Sequence, residues 1–159
     1  MKFNSEQPKI LVVGSSSIDL VLNTEKYPQA NETVMAVRSE TFFGGKGANQ
    51  AVGTARLGAN TMFIGCVGMD PYGQQILRNL VDQNVNVGFV HEDIDVATGT
   101  AYVTASGGKN AIVVVPSANH RLQPEHLENP DKFFSTADLV LVQLEIPMNV
   151  VETVYEKCK

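Results

Sequence analysis

The sequence predicts an α/β protein in which a partial doubly wound, Rossmann-like sheet carries a small inserted β-sheet as a lid. Continuous apolar runs of strand length recur along the chain with amphipathic helical segments beside them, as in a parallel sheet that is covered on both faces. Three further segments are rich in β-branched or alternating residues, which indicates a second sheet. Together these patterns favour a layered α/β architecture.

The core strands are expected at residues 9–14, 61–67 and 139–144, where apolar residues follow one another almost without interruption. One helix starts within residues 44–50, and the next begins with Asp70 as its N-cap and Pro71 in its first turn. A further helix starts after Pro124, and Asn149 could cap the last one. The expected apolar faces are Ala48, Ala51, Val52, Ala55 and Leu57 in the first helix, Ile76, Leu77, Leu80 and Val81 in the second, and Val151, Val154, Tyr155 and Cys158 in the last.

The lid strands are expected within residues 18–43 and 97–115. Segments 18–22, 33–43 and 98–105 have strand character, and a turn at residues 106–110 leads into a hairpin strand at 111–115. Because residues 98–105 alternate polar and small apolar side chains, this strand is expected to be half exposed. We expect a small antiparallel sheet that serves as a lid or an interaction surface and needs a partner over one face.

Composition narrows the class of protein. The 159 residues are 43% hydrophobic and 18% charged, which suits one globular domain with a real core. A formal net charge of −5, without a run of Lys or Arg, argues against nucleic acid or an anionic membrane as partner and favours a small polar metabolite. The N-terminus leads into the first strand without the h-region of a signal peptide, so we expect a cytoplasmic protein.

The cysteines and histidines give no metal motif by spacing. Cys66 and Cys158 form no CxxC pair and are expected to be reduced structural thiols. His91, His120 and His126 lack metal-ligand spacing and are expected at the surface, so no metal site is predicted.

The most informative segment is residues 44–50, GGKGANQ, which joins glycines, a cation and two amides at an expected helix start. The free N–H groups and the positive dipole end of such a start suit an oxygen-rich ligand. A P-loop is excluded because Glu40 and Gly47 stand where it needs glycine and Ser or Thr, and a GxGxxG turn is excluded by Gln50. The alternative is that the glycines only permit a tight turn and close helix packing, with Lys46 in solvent.

The segments 44–50, 55–59 and 65–73 together resemble the N-terminal signature of the ribokinase family of ATP-dependent sugar and nucleoside kinases. Segments 14–19, 28–34, 97–101 and 143–145 also fall where that family has counterparts, so the resemblance covers nearly the whole chain. It implies a ribokinase-like fold and, from the lysine in the motif, phosphorylation of D-ribose at O5. It also implies ATP and Mg²⁺ as cofactors, with a monovalent cation as a further candidate. Because one face of the lid sheet needs a partner, we also expect a homodimer formed through that sheet.

The resemblance assigns sugar contacts residue by residue. Asp19 and Glu145 match carboxylates on two sides of the sugar, while Gly45, Lys46 and Asn49 match a backbone, an ammonium and an amide contact. The arrangement is chemically sensible because carboxylates and amides pair with adjacent hydroxyl groups and discriminate against sugars that lack one. Taken singly, each residue also has a structural reading: a turn cap for Asp19, a strand-end surface charge for Glu145, and a solvated Lys46.

Three residues depart from the family pattern. Ser17 stands where some members have a sugar-contacting asparagine, and Asn31 and Ser117 stand where glycine is common. Asn tolerates a left-handed turn, so the departure at Asn31 is mild.

The larger departure is a missing motif. The DTxGAGD-type turn that carries the family's catalytic base and anion hole does not occur in this sequence, and the expected last helix has no following strand. No catalytic residue can therefore be assigned. We expect residues 1–159 to be the N-terminal portion of a kinase domain, without the ATP-binding half and inactive alone. Two alternatives remain: a non-catalytic truncated module that dimerises or weakly binds sugar, and a kinase for another sugar or nucleoside.

Overall fold

The computed structural model describes residues 7–159, so the N-terminal segment considered for a signal peptide lies mostly outside the described residues. The strands are β1 (Lys9–Val13), β2 (Ser17–Thr24), β3 (Ala36–Gly44), β4 (Asn60–Ile64), β5 (Cys66–Gly68), β6 (Val85–Asn86), β7 (His91–Asp93), β8 (Thr100–Ser106), β9 (Lys109–Val115) and β10 (Leu139–Val142). The helices are α1 (Lys46–Arg56), α2 (Pro71–Asp82), α3 (Asp131–Thr136) and α4 (Met148–Lys157), with 3₁₀ turns at Ser117–Arg121 and Pro124–Leu127.

The core is a parallel sheet in the order β10-β1-β4-β6. Strand β1 is buried on both faces: Leu11 and Val13 join one apolar cluster, while Ile10 and Val12 join the other. A parallel strand needs such a run because helices cover both of its faces. The expected α/β fold with a second, smaller sheet is confirmed.

The lid sheet has the order β3-β2-β8-β9. Its outer pairs are antiparallel, but β2 and β8 run parallel, so the prediction of an antiparallel sheet was wrong. The long stretch of core strands and helices between β2 and β8 serves as the crossover that a parallel pair requires. The lid strands otherwise lie close to the predicted ranges.

The predicted strand at residues 61–67 is interrupted at Gly65. Strand β4 stays in the core sheet, whereas β5 leaves it to pair in parallel with β7 as a separate two-stranded sheet. A side chain at Gly65 would lie 2.8 Å from the carbonyl oxygen of Gly14 and 2.7 Å from the ring of Phe63, so the chain turns here in close contact with the core.

Helix α2 begins as predicted, since Asp70 accepts a hydrogen bond from the N–H of Gly73 at 2.8 Å and Pro71 opens the helix. Ile76 and Leu80 are buried, but Val81 is 55% exposed, which corrects its place in the apolar face.

The other predicted helices begin at different residues from those expected, or have different buried faces. Pro124 opens a 3₁₀ turn rather than an α-helix, and α3 begins at Asp131. Asn149 lies inside α4, whose cap position is Pro147. The buried residues of α4 are Val150 and Val154, while Tyr155 and Cys158 are exposed. Leu57 lies beyond the end of α1 and is also exposed.

Within residues 7–159, the helices are all too short or too polar to cross a bilayer.

Candidate functional site

A cleft of ≈ 410 Å³ lies between the parallel core and the lid sheet. All five residues predicted to contact a sugar line it: Asp19, Gly45, Lys46, Asn49 and Glu145. They come from β2, from the start of α1 and from the loop after β10. The other lining residues are Ser15, Ser17, Ala101, Ile112, Val114, Val115, Pro116, Asn119 and His120. One side of the cleft is therefore polar, and the lid side is largely apolar.

The glycines of the 44–50 segment bring the start of α1 against the loop after β1. Gly45 is the N-cap with φ 89°, and a Cβ there would lie 2.4 Å from Cα of Ser16. A Cβ at Gly47 would lie 2.7 Å from the backbone of Gly14. Only glycine combines this left-handed conformation with so close a backbone approach. The close helix packing expected from these glycines is thus correct. The same packing places the N-terminal end of α1 at the cleft.

Glu145 is held at the N-terminal end of α1. Its Oε2 accepts a hydrogen bond from Oγ of Ser15 at 2.7 Å and lies 3.4 Å from the backbone N of Lys46, while Oε1 pairs with Nζ of Lys46. Burial alone would raise the pKa of Glu145, but the hydrogen bonds from Lys46 and Ser15 outweigh it and lower the pKa below its usual value. An anion at a helix N-terminus is stabilised by the helix dipole.

The Lys46 side chain is therefore both exposed and paired. It is 68% exposed, as the solvated reading predicts, yet its ammonium contacts the carboxylate of Glu145, which also lines the cleft. A ligand that binds the Lys46 ammonium or the Glu145 carboxylate must therefore compete with the ion pair between them.

Asp19 projects from β2 beside the glycine segment. Its Oδ1 accepts a hydrogen bond from Oγ of Ser17 at 2.8 Å. A Cβ at Gly44 would lie 2.2 Å from that same oxygen, so Gly44 makes room for the carboxylate. Ser17, the residue that departs from the family pattern, thus orients Asp19. Asn49 lies one turn after Lys46 in α1 and is exposed.

Sequence reasoning missed Asn119 as part of the site. Asn119 is 5% exposed, and its carboxamide pairs with both backbone polar groups of Ser16. This pairing fixes the loop that carries Ser15 and Ser17 to the cleft. The available signal was weak, because only its position after Ser117 and Ala118 in a family-like segment pointed to it.

Ser117 and Asn31 both adopt left-handed backbone conformations, with φ 46° and φ 63° respectively. These are the two positions where the sequence departs from a common family glycine. The backbone therefore keeps the glycine-like turn although the side chain has changed. The conformational strain of this left-handed turn is smaller for Asn than for Ser.

The surface prediction for the histidines is correct only for His120, which is exposed at the cleft. His91 and His126 are half-buried, and their rings stack with centroids 4.0 Å apart. Cys66 is buried in β5 as expected, and Cys158 is exposed.

A family model described as pfkB family carbohydrate kinase matches residues 7–158. The chain belongs to the pfkB family of carbohydrate kinases. Among curated proteins, the chain is similar to the ribokinase of Bacillus subtilis, with 42% identity over 149 residues, 94% of this chain and 51% of that protein. It is also similar to the ribokinase of Mus musculus, with 39% identity over 142 residues, 89% of this chain and 44% of that protein.

Solved structures of pfkB relatives share the fold. The structure of Arabidopsis thaliana ribokinase complexed with ribose and ATP matches with a TM-score of 0.82 and 34% identity, covering 95% of this chain and 51% of that one. Thermotoga maritima ribokinase matches with a TM-score of 0.79 and 34% identity, covering 89% and 47%. The family resemblance and the ribokinase-like fold are confirmed. The chain spans about half the length of the curated relatives it matches.

Proposed function

We propose that this chain is the sugar-binding and lid part of a ribokinase-type kinase that phosphorylates D-ribose at O5. The observation that carries the proposal is the convergence of Asp19, Lys46, Asn49 and Glu145 on one cleft from three separate segments. The similarity to a ribokinase solved with ribose and ATP supports the choice of sugar.

The chemistry of the cleft suits a small polyol. Asp19 and Glu145 offer carboxylate oxygens to hydroxyl protons, while Asn49 both donates and accepts. The apolar lid wall of Ala101, Ile112 and Val114 covers the opposite side and would exclude water from a bound sugar. A sugar lacking one of the contacted hydroxyls leaves a polar group of the site unpaired, which lowers its affinity.

The same residues do not fit a nucleoside triphosphate. The cleft holds two carboxylates against one lysine, and that lysine is already paired with Glu145. A polyphosphate requires several cations or free N–H groups. We therefore assign no contact to ATP, Mg²⁺ or a monovalent cation among these residues, and no step of phosphoryl transfer.

We further propose that the chain alone does not turn over sugar. The DTxGAGD-type turn is absent from the sequence, and phosphoryl transfer depends on the positioning and electrostatics that such a turn supplies. A coupled ADP-release assay on the purified chain with ribose and MgATP should give no rate above background. A measurable rate that scales with chain concentration would overturn this part of the proposal.

A chimera tests the sugar assignment. This chain would be joined to the C-terminal half of Bacillus subtilis ribokinase, and ribose, deoxyribose, fructose and adenosine would be compared by ADP release. Ribose should have the highest kcat/KM. Asp19→Asn should lower kcat/KM for ribose at least about tenfold, since a charged hydrogen bond contributes about 1.5–3 kcal/mol, whereas the control Asp82→Asn should leave it unchanged. A chimera that prefers adenosine would instead support a nucleoside kinase.

The exposed lid face supports a second role, self-association of the chain. Phe42 and Ala101 both pair with Asp19 in the sheet register, and Val114 pairs with Ala101, so these side chains share the cleft face. Phe42 is 50% and Val114 58% exposed. An apolar sheet face of this kind is typically covered by a partner, and a second lid is the occupant we propose.

Light scattering coupled to size exclusion tests the lid dimer. Val114→Lys should remove the lid contact and lower the mass of the assemblies that the chain forms. The matched control is Val113→Lys, which places the same charge on the neighbouring residue of β9 but on the other face. If both variants leave the mass unchanged, the lid does not mediate association. A dimer that binds no ribose by calorimetry would favour a non-catalytic module.

A further inference from the structure

Cys66, His91 and Asp93 bring a thiol, an imidazole and a carboxylate together, away from the sugar cleft. One donor atom from each residue lies within 4.8 Å of the other two. The two-stranded sheet explains the convergence: Cys66 and His91 are register partners in the parallel pair β5–β7, and Asp93 follows His91 by two residues on the same face. The spacing along the chain hides this cluster, because Cys66 is remote in sequence from the other two.

Two of the three donor residues are buried, and the third is half-buried. Cys66 is 1% and Asp93 7% exposed, while His91 is half-buried beneath the stacked ring of His126. The backbone N–H of Gln123 donates to Nδ1 of His126 at 3.0 Å, which holds that ring in place over His91.

Asp93 already forms an ion pair with the guanidinium of Arg121. Its Oδ2 accepts a hydrogen bond from Nε of Arg121 at 3.1 Å, and its Oδ1 accepts two backbone N–H groups, from Asp95 and Val96. The Arg121 side chain is 55% exposed, so it can swing into solvent without unpacking the core. The backbone hydrogen bonds keep the carboxylate pointed at the cluster when it does.

We propose that Cys66, His91 and Asp93 form a binding site for a divalent transition-metal ion of the zinc class, with water completing a tetrahedral site. Sulfur, imidazole nitrogen and carboxylate oxygen are the donors that Zn²⁺ takes in proteins, and the thiol disfavours Mg²⁺ and Ca²⁺. Zn–ligand distances of about 2.0–2.3 Å place donor atoms roughly 3.5 Å apart, so the side chains need to close by only about an ångström.

Binding has an identifiable cost. Burial, with a smaller contribution from Asp93, raises the pKa of the Cys66 thiol to about 12, so the metal must displace the thiol proton as well as Arg121. The thiol proton and the Arg121 guanidinium each carry a single positive charge. A divalent ion therefore attracts the carboxylate and the thiolate more strongly than either of them.

Cobalt substitution on the intact chain is the direct test. Titration with Co²⁺ should produce a thiolate-to-cobalt charge-transfer band that saturates at one ion per chain, and Zn²⁺ should displace it. His91→Asn and Cys66→Ala should weaken binding at least about tenfold. Cys158→Ser, which removes the only other thiol of the sequence, should leave the band unchanged.

Arg121→Gln gives the result that distinguishes a metal site from a structural ion pair. With the competing guanidinium removed, Co²⁺ should bind several-fold tighter, and Zn²⁺ should raise the melting temperature more than in the unsubstituted chain. Circular dichroism would establish whether each variant is folded. If Cys66→Ala does not fold, His91→Asn and Arg121→Gln still test the metal site. The proposal is overturned if the unsubstituted chain gives no band, if Cys158→Ser abolishes it, or if Arg121→Gln weakens binding. None of these readouts depends on sugar binding or on kinase activity.

Discussion

The Asn119 side chain completes the backbone hydrogen bonding of Ser16, a residue 103 positions earlier in the chain. Its Nδ2 donates to the carbonyl oxygen of Ser16 at 2.8 Å, and its Oδ1 accepts the N–H of Ser16 at 2.9 Å. The pairing resembles one step of a β-ladder made by a side chain. It ties the 3₁₀ turn Ser117–Arg121 to the loop that presents Ser15 and Ser17 to the cleft.

Asn119→Ala should destabilise the chain by about 2–4 kcal/mol, because it leaves one buried donor and one buried acceptor without partners. Urea denaturation followed by circular dichroism measures the change. His120→Ala alters the next residue, which is exposed, and should change the unfolding free energy by no more than about 0.5 kcal/mol. Equal effects of the two substitutions would mean that the carboxamide pairing contributes little to stability.

The pair of Glu145 with Lys46 and Ser15 should make stability depend on pH in the acidic range. A carboxyl whose folded-state pKa lies below its unfolded value stabilises the fold above the unfolded pKa and loses that contribution as pH falls through the folded value. The pKa of Glu145 is lowered from 4.5, so its contribution should be complete at neutral pH and fade below about 4.5. Since the group is partly exposed, we expect at most about 1 kcal/mol.

The measurement for Glu145 is the difference in unfolding free energy between the unsubstituted chain and Glu145→Gln from pH 3 to pH 7. Other carboxyls with lowered pKa values, among them Asp70 and Asp93, titrate in both proteins and cancel in the difference. A difference that grows as the pH falls would contradict the assigned sign.

Local sequence signals predicted the elements whose causes are local. The run from Lys9 to Val13 became a buried strand, and Asp70 with Pro71 marked the start of α2. The GGKGANQ segment located the cleft because glycines in tight contact with backbone leave a recognisable pattern. Errors of one or two residues, as at Asn149, arose where the helix start carries no side-chain cap.

Features that depend on pairing between distant segments could not be predicted. The parallel register of β2 with β8, the Asn119 pairing and the meeting of Cys66 with His91 each join residues far apart in the chain. No periodicity records such contacts, since each partner alone has an ordinary environment. Val81 was also mispredicted: its helical spacing matches the buried face of α2, but the residue is exposed in the structure.

Ser117→Gly should stabilise the chain by about 0.5–1 kcal/mol. The residue has φ 46°, and relief of the left-handed conformation outweighs the added flexibility that glycine brings to the unfolded chain. Thermal unfolding of Ser117→Gly against Ser117→Ala measures the effect, because alanine cannot relieve the backbone strain. Asn31→Gly, at φ 63°, should give a smaller gain, since Asn tolerates this region. Destabilisation by Ser117→Gly would show that the serine side chain has its own stabilising contacts.

Asp70 links the start of α2 to the segment before β8. Its Oδ1 accepts from the N–H of Gly73 at 2.8 Å and from Oγ1 of Thr98 at 2.7 Å, and its Oδ2 accepts from the N–H of Thr98 at 2.8 Å. Asp70→Ala should cost about 2 kcal/mol or more, whereas Asp70→Asn keeps the helix cap and should cost less. Chemical denaturation of both variants tests this order. Equal costs would mean that capping contributes nothing beyond the contact with Thr98.

Strand β10 provides a second association surface, separate from the lid. Among the described residues it pairs only with β1, so its outer edge presents free backbone groups beside Val142, which is 37% exposed, and Leu144, which is 73% exposed. An open apolar edge promotes pairing with another chain, and lysine at such an edge opposes it. We therefore expect the isolated chain to form assemblies larger than a dimer. In light scattering, Val142→Lys should reduce these assemblies to the lid dimer, and Val142→Lys combined with Val114→Lys should give monomer. If Val142→Lys leaves the mass distribution unchanged, the edge of β10 is protected in solution and the lid alone accounts for association.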